Sequence, residues 1–288
     1  MERILIRIAV LIALSCLCGC SVGMRYVFSS SRDTLSTPDR RDMAYEDLWF
    51  AAEDGVRLHG WLIPGDPEKP LVVFFHGNAA NITHRVDQIA CLHSLGLSVF
   101  IFDYRGFGAS EGRALSEEDI YRDARGALDY LSARGWPPSR LIYFGSSMGA
   151  AIALQMGLEV PPSGVVLECP FTSLREIAWH MTPMTYALVG WWNIGSAFEN
   201  MDKIGQLTRP LLILHGDRDT LVPLEMSRRL FAAAREPKTL LVVPGAGHSD
   251  VFSVGGEIYR QALLSFLDQD FNPFASQAYP QETHLPSR

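Results

Sequence analysis

Cysteine is scarce in this chain, and most of it is spent early. Of five in 288 residues, Cys16, Cys18 and Cys20 fall within the first twenty positions, which leaves Cys91 and Cys169 for the rest. Two cysteines do not make a disulfide framework. Cys91 is expected to pack on the inner face of its helix. Cys169 follows a strand, where a second nucleophile is conceivable but a buried small apolar residue is the better reading. No glycine-rich loop ends in Lys-Ser or Lys-Thr, and no Cys/His pairing has metal-ligand spacing, so no cofactor and no metal are expected. Basic clusters are missing as well. Twenty-five Lys and Arg against 32 Asp and Glu give a formal charge of -7, which argues against nucleic acid as a partner. There is no internal repeat.

Hydrophobic residues make up 48% of the sequence, enough for the single core of an α/β enzyme. Strand-like runs alternate with helical ones: Leu97 to Phe102, Glu117 to Arg134, Leu141 to Phe144, Ser147 to Leu158, Gly164 to Leu167. That alternation predicts a mostly parallel central sheet with helices on both faces. Trp49 to Ile63, with Asp54-Gly55 in its middle, reads as an antiparallel hairpin leading into the sheet.

Gly145-Ser146-Ser147-Met148-Gly149 stands between an apolar strand and an Ala-rich helix. A serine at a sharp strand-to-helix turn is held in a strained conformation, and side chains two positions before and after it would collide with the flanking elements. Glycine at 145 and 149 removes both collisions, so Ser147 rather than Ser146 is the candidate nucleophile. A serine hydroxyl needs a base and the base needs an orienting acid. Two later strands end in suitable loops, His215-Gly216-Asp217-Arg218-Asp219 and Gly245-Ala246-Gly247-His248. His248 has the loop position of a base, whereas His76 and His215 sit at strand ends where structural hydrogen bonds are expected. His84 and His93 fall on an expected helix from Ile82 to Leu95, His180 in an insert, His59 in the hairpin and His284 in the tail. The tetrahedral intermediate needs two backbone donors. Met148 supplies one, and Asn78, with Ala79 as the alternative, the other. Asn81 heads a glycosylation sequon but reads as a helix cap, and Asp103 and Glu111 read as members of a structural turn.

His76-Gly77-Asn78-Ala79, Asp103-Tyr104-Arg105-Gly106-Phe107-Gly108-Ala109-Ser110, the 145–149 turn and the two later loops occur in an order that resembles the α/β-hydrolase superfamily. From about Asp47 to Phe266 the chain is similar to the small-lid serine hydrolases related to acyl-protein thioesterases and serine aminopeptidases. The resemblance implies that Asp219, with Asp217 as the fallback, is the triad acid. It further implies hydrolysis of carboxylic esters or thioesters through an acyl-enzyme on Ser147. The alternatives are a peptidase or amidase of the same fold, and a non-catalytic lipoprotein that binds a lipid or protein partner.

Four further segments are expected. Arg3 and Arg7 precede an apolar run from Ile8 to Leu17, too short for a membrane span but suited to a signal core. Leu17-Cys18-Gly19-Cys20 then resembles a bacterial lipobox, which implies lipidation at Cys20; a signal anchor over Ile8 to Met24 is the rival. Either tethers residues 1–20 to a membrane of the bacterial cell envelope. Residues 21–44 read as a linker to a domain at 45–270. An insert at 171–208 should form a short helical cap. Its Trp179, Met181, Met184, Tyr186, Leu188, Val189, Trp191, Trp192, Ile194 and Phe198 predict an apolar pocket or a membrane-facing patch for a small-molecule or acylated substrate. Residues 271–288 read as a loosely ordered tail.

Overall fold

The computed structural model describes residues 29–181 and 197–271. Its centre is an eight-stranded sheet: β1 (Glu46–Ala51), β2 (Arg57–Ile63), β3 (Leu71–Phe75), β4 (Ser98–Phe102), β5 (Leu141–Ser146), β6 (Gly164–Glu168), β7 (Leu211–Gly216) and β8 (Lys238–Val243). The strands lie in the order β1-β2-β4-β3-β5-β6-β7-β8. β1 and β2 pair antiparallel, β2 joins β4 antiparallel, and every other pairing is parallel. Strands β3, β4 and β6 are buried at every position, as parallel strands covered on both faces must be.

Alternation along the strands divides the core in two. Val73, Phe75, Phe100, Phe102 and Tyr143 face one layer, which holds α2 (Glu117–Ala133), α3 (Met148–Glu159) and α6 (Leu224–Ala233). Val72, Phe74, Ile101, Ile142 and Phe144 face the other, which holds α1 (Val86–His93) and α7 (Val251–Phe271). A capping box starts α2, in which Ser116 Oγ accepts from the Asp119 amide while the Asp119 carboxylate accepts from the Ser116 amide. Chain order reverses direction across the sheet at β3, so the carboxyl ends of β3, β5, β7 and β8 open onto one edge, where ligands of such sheets bind.

Three expectations need correction. The hairpin begins at Glu46, before Trp49, because Glu46 and Asp47 are exposed polar positions that precede the first buried residue, Leu48. The helix expected from Ile82 to Leu95 is two elements, a 3-10 turn at Ile82–His84 and then α1. The turn is pinned separately: Asn81 Oδ1 accepts from the Thr83 amide, as the cap reading required, and Asp103 Oδ1 accepts from the Ile82 amide. The expected linker is packed against the domain from residue 29 onward. Ser29–Ser30 pairs in parallel with Ala79–Ala80, Asn81 Nδ2 donates to the carbonyls of Ser31 and Asp33, and Met43 is buried. Polar composition suggested a solvated segment, but partners distant in sequence satisfy its backbone groups.

The cap is described at α4 (Leu174–Met181) and α5 (Asn200–Ile204). Met184, Tyr186, Leu188, Val189, Trp191, Trp192 and Ile194 lie outside the described residues, as do residues 1–20 with Cys20, and the tail beyond Phe271. Among the described residues no helix is long and apolar enough to cross a membrane.

Candidate active site

Ser147 sits between β5 and α3 with φ 55° and ψ -116°, a conformation that costs a non-glycine residue about 1–3 kcal/mol. A β-carbon on Gly145 would fall on the Gly149 carbonyl, and one on Gly149 would fall on the Phe75 carbonyl. The two glycines therefore let β5, α3 and β3 close around the serine. The Ser147 amide donates to the Glu168 carbonyl at 2.8 Å, fixing the turn to β6.

The loops after β7 and β8 bring the partners in. His248 Nε2 is 3.0 Å from Ser147 Oγ, and His248 Nδ1 is 2.6 Å from Asp219 Oδ2. Asp219 Oδ1 accepts from the amides of Leu221 and Val222, each at 2.8 Å. Its side chain is fully buried. Burial alone would raise its pKa, but hydrogen bonds from His215 and His248, aided by the charge of His248 and the Val222 amide, hold the carboxyl well below its ordinary value. Asp217 is elsewhere engaged, with Oδ1 accepting from the Gly245 amide at 2.6 Å and bracing the neighbouring turn. Asp219, not Asp217, is thus the carboxylate against His248.

The loop after β3 closes the opposite side. Gly77, Asn78 and Ala79 line the same cavity as Ser147, Met148 and His248, and Met148 opens α3, where helix amides are free. His76 Nδ1 lies 2.7 Å from the Gly77 carbonyl, so this nitrogen carries the proton and ties down the loop. Burial lowers the His76 pKa to about 4, which keeps the ring neutral. His59 pairs with Asp47, His93 meets the Pro64 carbonyl and His180 the Thr220 carbonyl. The Asp103 carboxylate accepts from the Ile82 amide, and the Glu111 main chain pairs with Gly106 and Arg57, as expected of a structural turn.

Cys169 is fully buried, its Sγ directed at the His248 carbonyl at 3.7 Å. Its sulfur and ligand atoms of Asp219 and His248 lie within 4.8 Å of one another. Burial pushes the thiol well above its ordinary pKa, and a protonated thiol is neither a nucleophile nor a metal ligand. His248 and Asp219 are already bonded to each other, so this trio is a poor cation site. Cys91 is half-buried beside the α1–α7 layer rather than fully inside it.

Sequence reasoning passed over a second set of residues. Glu168, at the end of β6, accepts from Gln88 Nε2 at 2.8 Å and Ser146 Oγ at 3.0 Å on one oxygen, and from the Tyr259 hydroxyl at 2.9 Å on the other. Burial raises its pKa against those hydrogen bonds. Its one signal in the sequence is a charge terminating an otherwise apolar strand. His215 also does more than brace a strand end: its Nε2 is 3.3 Å from Asp219 Oδ2. The cavity itself measures about 360 Å³ and is walled by Phe171, Leu174, Ile177, Met181, Phe198 and Leu221 beside the catalytic candidates. Phe198 is buried while Met181 is largely exposed at the rim.

The sequence model of a family described as serine aminopeptidase, S33, matches residues 66–202. The uncharacterized protein Rv2307c of Mycobacterium tuberculosis is 38% identical over 232 residues, covering 78% of this chain and 80% of that one. The α/β-hydrolase domain-containing protein WAV2 of Arabidopsis thaliana is 36% identical over 252 residues, covering 81% and 82%. The solved structure of the esterase Pf2001 of Pyrococcus furiosus superposes with a TM-score of 0.72 at 24% identity, over 84% of this chain and 98% of that one. At that identity the last likeness speaks for the fold alone. Identity above 30% across most of both chains, on this sheet order, goes further: the chain belongs to the α/β-hydrolase superfamily, and hydrolysis is the coarse activity that goes with that membership.

Proposed function

We propose that the protein is a serine hydrolase that cleaves carboxylic esters or thioesters through an acyl-enzyme on Ser147. The observation that carries this reading is the continuous chain Ser147 Oγ, His248 Nε2, His248 Nδ1, Asp219 Oδ2, with separations of 3.0 and 2.6 Å. His248 Nε2 takes the hydroxyl proton as Oγ attacks the acyl carbon, and the Asp219 carboxylate holds the ring and offsets its developing charge. The Met148 amide and the Asn78 amide, on the loop beside it, donate to the oxyanion. Collapse breaks the bond to the leaving group, which departs with the proton from Nε2. Water then gives its proton to Nε2 and attacks the acyl carbon, and Ser147 leaves with that proton restored. The apolar part of the cavity wall, Phe171, Leu174, Ile177 and Phe198, suits an acyl chain. A pure binding module would have no use for the strained turn at Ser147.

The test is labelling with a fluorophosphonate, comparing wild type with Ser147→Ala, followed by p-nitrophenyl esters of increasing acyl length. Labelling of wild type alone supports the reading; folded but unlabelled wild type sinks it and favours the binding module. Preference for aminoacyl anilides over esters would move the activity to the amidase class. We further propose that residues 1–20 tether the enzyme to the bacterial envelope by lipidation at Cys20. Incorporation of a radioactive fatty acid that disappears in Cys20→Ser supports this, and membrane retention without incorporation indicates a signal anchor.

A further inference from the structure

Arg85 is the residue of the cavity that neither the fold nor the hydrolytic machinery accounts for. It lies between the 3-10 turn and α1, half-buried, and lines the cavity that holds Ser147. A β-carbon placed on Gly77 would lie 3.4 Å from the Ser147 β-carbon and 3.9 Å from Arg85 Nη2, so the serine and the guanidinium both border this glycine. Nη2 donates to the Ala79 carbonyl at 2.9 Å, and Nε is buried with no acceptor among the described residues. Among the described residues no carboxylate forms an ion pair with it. Glu168 is the acid whose charge it feels, and both Glu168 oxygens are already taken by Gln88, Ser146 and Tyr259. Among the described residues the guanidinium has Glu168 near it but no carboxylate bonded to it, and an arginine stays charged under all working conditions.

The walls of the cavity also divide by face of the sheet. Phe171, Phe198, Leu174 and Ile177 belong to or pack on the core layer of α2, α3 and α6. Arg85 stands at the head of α1, on the other layer. Ser147, at the end of β5, lies between them. An acyl chain lodged among the apolar residues turns the remainder of the substrate toward Arg85. We propose that Arg85 is a specificity residue whose guanidinium binds an anion, a carboxylate or phosphate, carried on the leaving group of the ester. This rests on the reading of Ser147 as nucleophile.

The experiment compares wild type, Arg85→Met and Arg85→Lys on three esters: phenyl butyrate, 3-carboxyphenyl butyrate and the monophenyl ester of adipic acid. A charge-assisted contact predicts that Arg85→Met loses about tenfold or more in kcat/KM on 3-carboxyphenyl butyrate and less than about twofold on phenyl butyrate, with Arg85→Lys recovering part of the loss. Equal loss on all three esters would mean that Arg85 only braces the Ala79 loop, and the proposal fails. Loss confined to the adipate ester overturns the leaving-group assignment, and no loss anywhere overturns the anion site. Should Arg85→Met not fold, Arg85→Lys must still lose more on the carboxylated phenol than on the neutral one. Wild type inactive on every ester is a separate failure, that of the nucleophile itself, and this inference falls with it.

Discussion

His215 Nε2 and His248 Nδ1 meet the same oxygen of Asp219, at 3.3 and 2.6 Å. The two histidines differ in what lies beyond. His248 reaches on to Ser147, whereas His215 is enclosed between the Val222 carbonyl at 2.9 Å and Ser227 Oγ at 2.7 Å. With the Val222 carbonyl in front of it, His215 Nε2 carries a proton, and that donor stands beside the buried carboxylate.

His215→Phe removes that donor while keeping a ring in the core. Each 1.4 kcal/mol of lost stabilisation is about tenfold in rate, so kcat is expected to fall by up to about tenfold as Asp219 loses this neighbour, with KM little changed because His215 does not line the cavity. Steady-state kinetics on a p-nitrophenyl ester, beside a melting curve to confirm folding, check this. An unchanged kcat would mean that the two amides at Leu221 and Val222 suffice to place the carboxylate.

Ser147→Ala and His248→Ala should each cost on the order of a millionfold in kcat, and the double variant no more than either alone, because the two act as one unit. Asp219→Ala should cost less, on the order of ten-thousandfold. Asp217→Ala is the control: it loses the Gly245 contact and should lower stability more than turnover. Turnover numbers for the five variants, measured at one pH, decide whether the acid is correctly assigned.

What could be read from the sequence follows from how local each signal is. The turn around Ser147 announces itself because two glycines, at 145 and 149, answer clashes built into one strand-turn-helix unit. His248 is found by its place after a strand. The choice of Asp219 over Asp217 needed resemblance, since both sit in one loop and only the fold shows Asp217 turned to Gly245. Glu168, Gln88 and Tyr259 meet across separations of 80 and 91 residues, and no local pattern marks such a cluster. The same holds for residues 29–43, polar by composition yet anchored through Asn81 and Thr83 roughly half a hundred residues on.

Gly149→Ala tests the close approach of α3 to β3. The added methyl would overlap the Phe75 carbonyl and lie within 2.8 Å of the His76 carbonyl, both main-chain atoms that cannot rotate away. Overpacking of this kind costs about 3 kcal/mol at the upper end of its usual range. A lower urea midpoint is expected, together with lost activity from a displaced Ser147. Full stability would show that β3 and α3 can separate without penalty.

The pH dependence of stability should carry the mark of His76. Its folded pKa is lowered from 6.5 to about 4, chiefly by burial, with the Arg85 charge adding to it and Asp103 and the Gly77 carbonyl opposing. Between these values the unfolded chain binds a proton that the folded chain refuses, so stability rises with pH across that window. The contribution is complete above pH 6.5 and declines as pH falls toward about 4. Asp219, whose folded pKa is depressed from 3.8, adds a loss that begins only below that value. The two are separable by substitution. Urea midpoints taken from pH 8 to 4 should fall more steeply for wild type than for His76→Asn, and a difference that stays constant with pH would mean that His76 is protonated equally in both states.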